Sequence, residues 1–262
     1  MGYGTGETAV GNSTSGASSV IPSALVPAEI AWADAVRTDA APDVLFPEEA
    51  ALLTRSVQKR RNEFTTVRAC ARRAMAGLGL PPTPVLPGKR GEPGWPEGVV
   101  GSMTHCDGYR AAALAPASVA RSIGIDAEPH APLPEGVLDV VSLAPERERG
   151  QQIARGAWGG GPVHWDRLLF SAKESVFKAW YPLARRELDF SDAELTFEAA
   201  PASSVPGSGG PDRQGTFRAR LLPSADIPDG FPFSGFEGRW VIHDGFVVTA
   251  IVTPPATVPG PR

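Results

Sequence analysis

Phe170-Ser171-Ala172-Lys173-Glu174-Ser175-Val176-Phe177-Lys178-Ala179-Trp180 is the most constraining stretch of the chain. Good helix formers dominate it, and Phe170, Phe177 and Trp180 recur at the spacing of one apolar face, which predicts a helix over residues 165–183 packed into a core. Glu174 and Lys178 then stand one turn apart on a shared face. A lone pair of this kind is ordinarily a surface ion pair. Here Lys173 adds a second cation beside the single acid, and the aromatic residues bury one side of the helix.

Upstream, Ser122-Ile123-Gly124-Ile125-Asp126-Ala127-Glu128-Pro129 reads as an apolar strand over residues 122–126 ending in two acids at i and i+2. In extended chain both carboxylates point the same way. Together with Glu174 and the two lysines they suit a hard divalent cation carrying a phosphorylated ligand.

Gly124-Ile125-Asp126-x-Glu128 followed by Phe170-Ser171-x-Lys173-Glu174-Ser175-x-x-Lys178 resembles the signature pair of the 4'-phosphopantetheinyl transferases, of the monomeric surfactin-synthetase-activator type. Lys59-Arg60-Arg61-Asn62-Glu63-Phe64, Arg68, Gly91-Glu92-Pro93, Trp95-Pro96 and Gly101-Ser102-Met103-Thr104-His105-Cys106 resemble its actinobacterial branch. Each motif alone is weak; the ordered set, over about residues 45–252, is specific.

The bulk numbers agree with a globular chain. Its 262 residues, 42% hydrophobic and 21% charged, can bury a sizeable core as one domain or two. A net charge of -4 argues against a general nucleic-acid binder. Only Cys70 and Cys106 are present, so no disulfide framework is required and a reducing cytoplasm fits. No apolar run approaches the roughly 20 residues of a membrane-spanning helix.

Residues 1–20 and 254–262 lack periodicity and read as a disordered leader and tail. Residues 21–35 are expected to hold a first strand and turn, with Trp32 as an anchor of no assigned role. Pro47-Glu48-Glu49 starts a helix, and Leu53, Val57, Phe64, Val67, Ala71, Met75 and Leu78 carry the helical period down to Gly79. Arg55, Lys59, Arg60, Arg61, Arg68, Arg72 and Arg73 decorate it against Glu63 alone. They form either a solvated face or a polyanion surface.

Residues 81–96 are a Pro- and Gly-rich loop in which Lys89 and Arg90 are either solvated charges or ligand contacts. Residues 98–115 read as strand, turn at Asp107-Gly108, and strand. Ser102 lacks the G-x-S-x-G elbow of a hydrolase nucleophile, while hydroxyl and imidazole donors there suit a phosphate. Residues 137–143 predict a short helix and residues 149–162 a mobile Gly-rich loop. Residues 199–215 read as a long loop. Residues 216–222 and 239–252 are expected strands, the latter a hairpin turned at Asp244-Gly245.

The resemblance implies an α/β (α+β) fold of two similar halves about a pseudo-two-fold axis, residues 21–118 and 119–253, each a small, mostly antiparallel sheet packed with a long helix. It implies transfer of 4'-phosphopantetheine from coenzyme A to a serine of an acyl, polyketide or peptidyl carrier protein by a monomeric enzyme. Mg²⁺, or Mn²⁺, would be held by Asp126, Glu128 and Glu174. Glu174, Lys178 and Asp126 are the catalytic candidates, with Glu174 as metal ligand, as base, or as both. Arg60, Arg68, Thr104, His105, Lys173 and Lys178 would contact the coenzyme, as would Asp126 and Glu174. The branch often carries a further lysine where this chain has Pro87, which leaves Lys89 or Arg90 as the substitute. Arg185 and Arg186 are candidate carrier contacts. A coenzyme-binding protein without turnover and a metal-dependent phosphohydrolase are the alternatives.

Overall fold

The computed structural model describes residues 20–41, 44–158, 163–201 and 212–255. In chain order its elements are α1 (Val20–Leu25), β1 (Ala31–Val36), α2 (Pro47–Ala51), α3 (Gln58–Gly77), β2 (Val99–Cys106), β3 (Tyr109–Pro116) and β4 (Ile123–Pro129). They continue with α4 (Val137–Val141), α5 (Ala144–Ala154), α6 (Trp165–Ala184), β5 (Ala193–Ala199), β6 (Arg213–Leu221), β7 (Gly235–His243) and β8 (Phe246–Val252). Apart from residues 20, 254 and 255, the expected leader and tail lie outside the described residues, as does most of the expected loop at 199–215.

Two antiparallel sheets result, ordered β1-β3-β2 and β4-β8-β7-β6-β5. Helix α3 packs on β1 and β3, and α6 packs on β4 and β8. The expected α+β plan of sheet-plus-helix halves is therefore present, with three strands in one sheet and five in the other. No helix among the described residues is long and apolar enough to cross a membrane.

Strand β3 explains how the layers meet. Its Ala112 and Leu114 face Cys70, Ala71, Ala74 and Met75 of α3. Its Ala111, Ala113 and Ala115 face the other way, into a core with Ile123, Ile125 and Ala127 of β4 and Val248 and Ala250 of β8. A strand buried on both faces loses the polar alternation of a half-exposed one, and its alanines let the layers approach closely. The second core joins Leu168, Leu169, Ala172, Val176 and Trp180 of α6 to Phe217, Trp240, Val247 and Ile251.

Several boundaries differ from expectation: β5 was not expected, and β6 and β7 begin at Arg213 and Gly235 rather than at residues 216 and 239. Residues 20–25 are helical, and the first strand begins only at Ala31. The helix begun at Pro47 stops after one turn, and α3 starts afresh at Gln58. Arg61 holds the break, donating from Nε to Ser56 O (2.9 Å) and from Nη2 to Thr54 O (3.2 Å). Val57 matched the helical period by coincidence and is 72% exposed. The strand at 122–126 runs on to Pro129, so both of its acids belong to β4. Residues 149–154 complete α5, where Gly150 gives Trp165 a place to lie: a Cβ there would be 2.1 Å from the indole.

Gly124 has the same kind of role beneath α6. A Cβ on it would stand 2.0 Å from Ser175 O and 2.7 Å from Ala179 N, so strand and helix touch backbone to backbone. Gly124→Ala must push α6 off β4. It is expected to destabilise the fold by about 3 kcal/mol, the upper range for overpacking, and an unchanged denaturation midpoint would contradict this contact.

Candidate active site

The two sheets meet edge to edge, β2 beside β4, and side chains make the joint. The outward N–H groups of Ile125 and Ala127 donate to Ser102 Oγ (3.1 Å) and Thr104 Oγ1 (3.0 Å). The i, i+2 spacing of the hydroxyls matches that of the two amides, which would otherwise be buried without partners.

Asp126 lies on this seam and is 5% exposed. Its Oδ1 accepts from Lys178 Nζ (2.7 Å) and Thr104 Oγ1 (3.2 Å), and Lys178 Nζ also reaches Ile125 O (3.1 Å). Its Oδ2 is buried with no hydrogen-bond partner among the described residues. Glu128 is two residues further along β4, and its Oε2 accepts from Arg167 Nη1 at 2.8 Å. Burial and then the charge of Asp126 push the Glu128 carboxyl up to about 7, against the opposing pull of Arg167 and Lys178. Glu174 is half-buried on α6. Burial raises its carboxyl as well, with Lys178 opposing and Asp126 adding. The sequence-expected face is therefore real, but Lys178 bonds to Asp126 rather than closing an i, i+4 pair with Glu174.

Asp126 offers a buried oxygen that no described group pairs with, and its charge acts on both Glu128 and Glu174. An all-carboxylate donor set fits a hard divalent cation. The expected three-ligand cluster is nevertheless not closed: among the described residues no three His, Cys, Asp or Glu side chains are grouped to share one metal. Arg167 and Lys178 occupy the carboxylates instead. Arg167 escaped the sequence reading because a lone Arg in the first turn of a helix carries no motif.

Across the seam stand Arg60 and His105. Arg60 Nη1 donates to His105 Nε2 (2.9 Å), and Glu63 Oε2 lies 3.7 Å from the same ring nitrogen. Partial burial of the ring and then the charge of Arg60 lower its pKa, and Lys178 adds to this from the other half. The expected coenzyme residues Arg60 and His105 thus meet the expected acid site.

Other expected contacts sit elsewhere. Lys173, adjacent to Glu174, lies about 100° round α6 from it, and both line one cavity with Phe177, Leu188 and Phe190. Its Nζ is held by Glu146 Oε2 (2.9 Å), Phe190 O (2.6 Å) and Ala193 O (3.2 Å), with the Lys173 and Glu146 side chains both 2% exposed. These three bonds make Lys173 part of a buried ion pair and use all of its donors. Thr104's hydroxyl is engaged both as acceptor and donor, as described. Arg68 lies under the loop at 81–96: Nε donates to Val85 O (3.1 Å) and stands 3.6 Å from Glu49 Oε1, and the guanidinium covers Phe64. Burial, foremost, lowers its pKa to about 10.

Fully buried Glu49 also receives Arg72 (3.0 Å) and Val85 N (2.8 Å). Counting charges within α3 missed this partner, and much of the apparent cationic excess is structural. Arg90 pairs with Glu187, Arg185 with Glu92 (3.1 Å) and Arg186 with Asp226, while Lys89 is exposed. The expected carrier-facing arginines are thus already in ion pairs. Cys70 and Cys106 are free and buried, and burial pushes the Cys106 thiol up to about 12. Such thiols are not reactive nucleophiles.

The sequence of both halves matches known proteins. Residues 48–115 match the 4'-phosphopantetheinyl transferase N-terminal domain, and residues 122–221 match the 4'-phosphopantetheinyl transferase superfamily. The chain is 58% identical over 217 residues to 4'-phosphopantetheinyl transferase Svp of Streptomyces mobaraensis, covering 82% of each chain. It is 52% identical over 206 residues to 4'-phosphopantetheinyl transferase Npt of Nocardia iowensis, covering 78% of this chain and 87% of that one. To 4'-phosphopantetheinyl transferase PptT of Mycobacterium tuberculosis it is 49% identical over 207 residues, covering 79% and 85%. With both halves matched and such relatives aligned over most of their length, the chain belongs to the 4'-phosphopantetheinyl transferase superfamily and is a 4'-phosphopantetheinyl transferase.

Proposed function

We propose that this transferase moves 4'-phosphopantetheine from coenzyme A to a serine hydroxyl of an acyl or peptidyl carrier protein. The observation that carries this reading is the meeting of two unlike clusters at one seam: Arg60 and His105 on one side, Asp126, Glu128, Glu174 and Lys178 on the other. The first suits a phosphate dianion and the second suits chemistry on a pyrophosphate.

In the transfer the serine Oγ forms a bond to the β-phosphorus of coenzyme A, and the bridging oxygen departs with 3',5'-ADP. Glu174 takes the serine proton; its raised pKa makes its carboxylate a better base than a solvated one. Lys178 faces the leaving phosphate, where its charge stabilises the departing oxygen. One divalent cation, Mg²⁺ or Mn²⁺, when held by Asp126, Glu128 and Glu174, supplies charge neutralisation at the pyrophosphate. Arg60 and His105, with exposed Lys89, hold the coenzyme's phosphates, and Arg68 supports the loop above them. A cavity of about 200 Å³ beside Glu174, walled by Phe177, Leu188 and Phe190, suits the partly apolar pantetheine arm.

Incubating the protein with Mg²⁺, coenzyme A and a panel of apo carrier proteins is expected to add one phosphopantetheinyl mass to at least one carrier, with release of 3',5'-ADP. Intact mass spectrometry reads the outcome. Excess EDTA is expected to abolish the transfer, and undiminished modification in its presence would overturn the carboxylate site. Hydrolysis of coenzyme A with no carrier mass gain would make the site a phosphohydrolase.

A further inference from the structure

We infer that Thr104 is a positioning residue for Asp126, coupling the coenzyme half to the acid half, and not a direct contact of the coenzyme. The inference rests on the transfer reading above and deepens it. Three observations carry it. Thr104 is 2% exposed, so its hydroxyl is turned away from solvent. That hydroxyl accepts from Ala127 N (3.0 Å), which fixes its direction, and donates to Asp126 Oδ1 (3.2 Å). The other oxygen, Oδ2, is buried without a partner among the described residues.

A carboxylate beside one ammonium swings readily so that both oxygens share the cation. Thr104 resists that swing: with Thr104 and Lys178 both on Oδ1, Oδ2 stays unpaired. That is the oxygen a divalent cation would take. Neighbouring groups that orient a ligand in this way typically change metal affinity 10- to 100-fold when removed. Ser102 provides the internal comparison. It makes the same seam bond to Ile125 N (3.1 Å), and no hydrogen bond links it to Asp126.

The test measures Mn²⁺ uptake by the EPR signal of the free ion, with and without coenzyme A, beside steady-state transfer and thermal denaturation. Thr104→Val is expected to weaken Mn²⁺ binding about 10-fold and to lower kcat while KM for coenzyme A holds. Thr104→Ser is expected to restore both. Ser102→Ala is expected to lower the melting temperature while keeping Mn²⁺ affinity. A rise in KM for coenzyme A with unaltered Mn²⁺ affinity in Thr104→Val would return the hydroxyl to the coenzyme and overturn the inference. Equal Mn²⁺ losses in Thr104→Val and Ser102→Ala would overturn it too, leaving only a seam effect. Should Thr104→Val fail to fold, Thr104→Ala, which leaves room for a water, is judged by the same criteria. A parent protein that takes up no Mn²⁺ under either condition would overturn the acid site itself, and Thr104's role with it.

Discussion

Glu174→Gln is expected to fold and to bind coenzyme A like the parent protein, while transfer falls at least ~100-fold, the usual scale for loss of a general base. The substitution is clean because Lys173 is paired with Glu146, and Lys178, one turn on, is bonded to Asp126 and Ile125 O rather than to Glu174. Exchanging the carboxylate for an amide therefore breaks no ion pair and preserves the shape against α6's neighbours. The lost quantity is proton affinity in a half-buried place where burial had raised it. Single-turnover transfer and coenzyme titration together check this. Partial recovery with Mn²⁺ would show that the carboxylate serves chiefly as a ligand. A wild-type rate with a folded spectrum would reduce Glu174 to a bystander.

Lys173→Met is expected to destabilise the protein by about 3–5 kcal/mol, because it strands the charge of Glu146 in the interior. Glu146 is held in place by Leu143 N and Leu195 N, each at 2.7 Å, so it cannot turn to water. Adding Glu146→Gln is expected to recover much of the loss, since the pair's attraction mainly offsets its own desolvation. Denaturant midpoints of the two single variants and the double variant measure this coupling. If instead Lys173→Met keeps its stability and loses coenzyme affinity, the buried pair is not what holds α6 to α5 and β5.

These two neighbours show which parts of the site could be read from sequence. Asp126, Glu128, Glu174 and Lys178 were legible because strand and helix periods fix which side chains share a face. Lys173 and Glu174 are consecutive, and one residue turns a helix by about 100°. Identity could place them on different sides but not say which side was wet. Glu146 as a partner was invisible, because α5 is polar, short of apolar periodicity and interrupted by Gly150. The glycine read as a loop signal, while its true role is contact with Trp165. The long pattern from Pro47 to Gly79 failed at Val57 for the opposite reason: a fortuitous period spanned a break that Arg61 holds by side-chain bonds to the carbonyls of Thr54 and Ser56, which periodicity does not show. The hairpins at Asp107-Gly108 and Asp244-Gly245 were legible because turn chemistry is local.

The hydroxyl-sewn seam has a consequence for association. β2 and β4 are terminal strands of their sheets, and each hides its edge against the other with no backbone ladder between them. Parting them would uncover two pairing-competent edges at once, on halves linked through residues 117–122. Edges of that kind invite the matching half of a second molecule. Ser102 and Thr104 therefore keep two strand edges covered as well as setting the geometry of the site. Removing both hydroxyls together is expected to favour strand-exchanged dimers, seen as a second peak in size-exclusion chromatography.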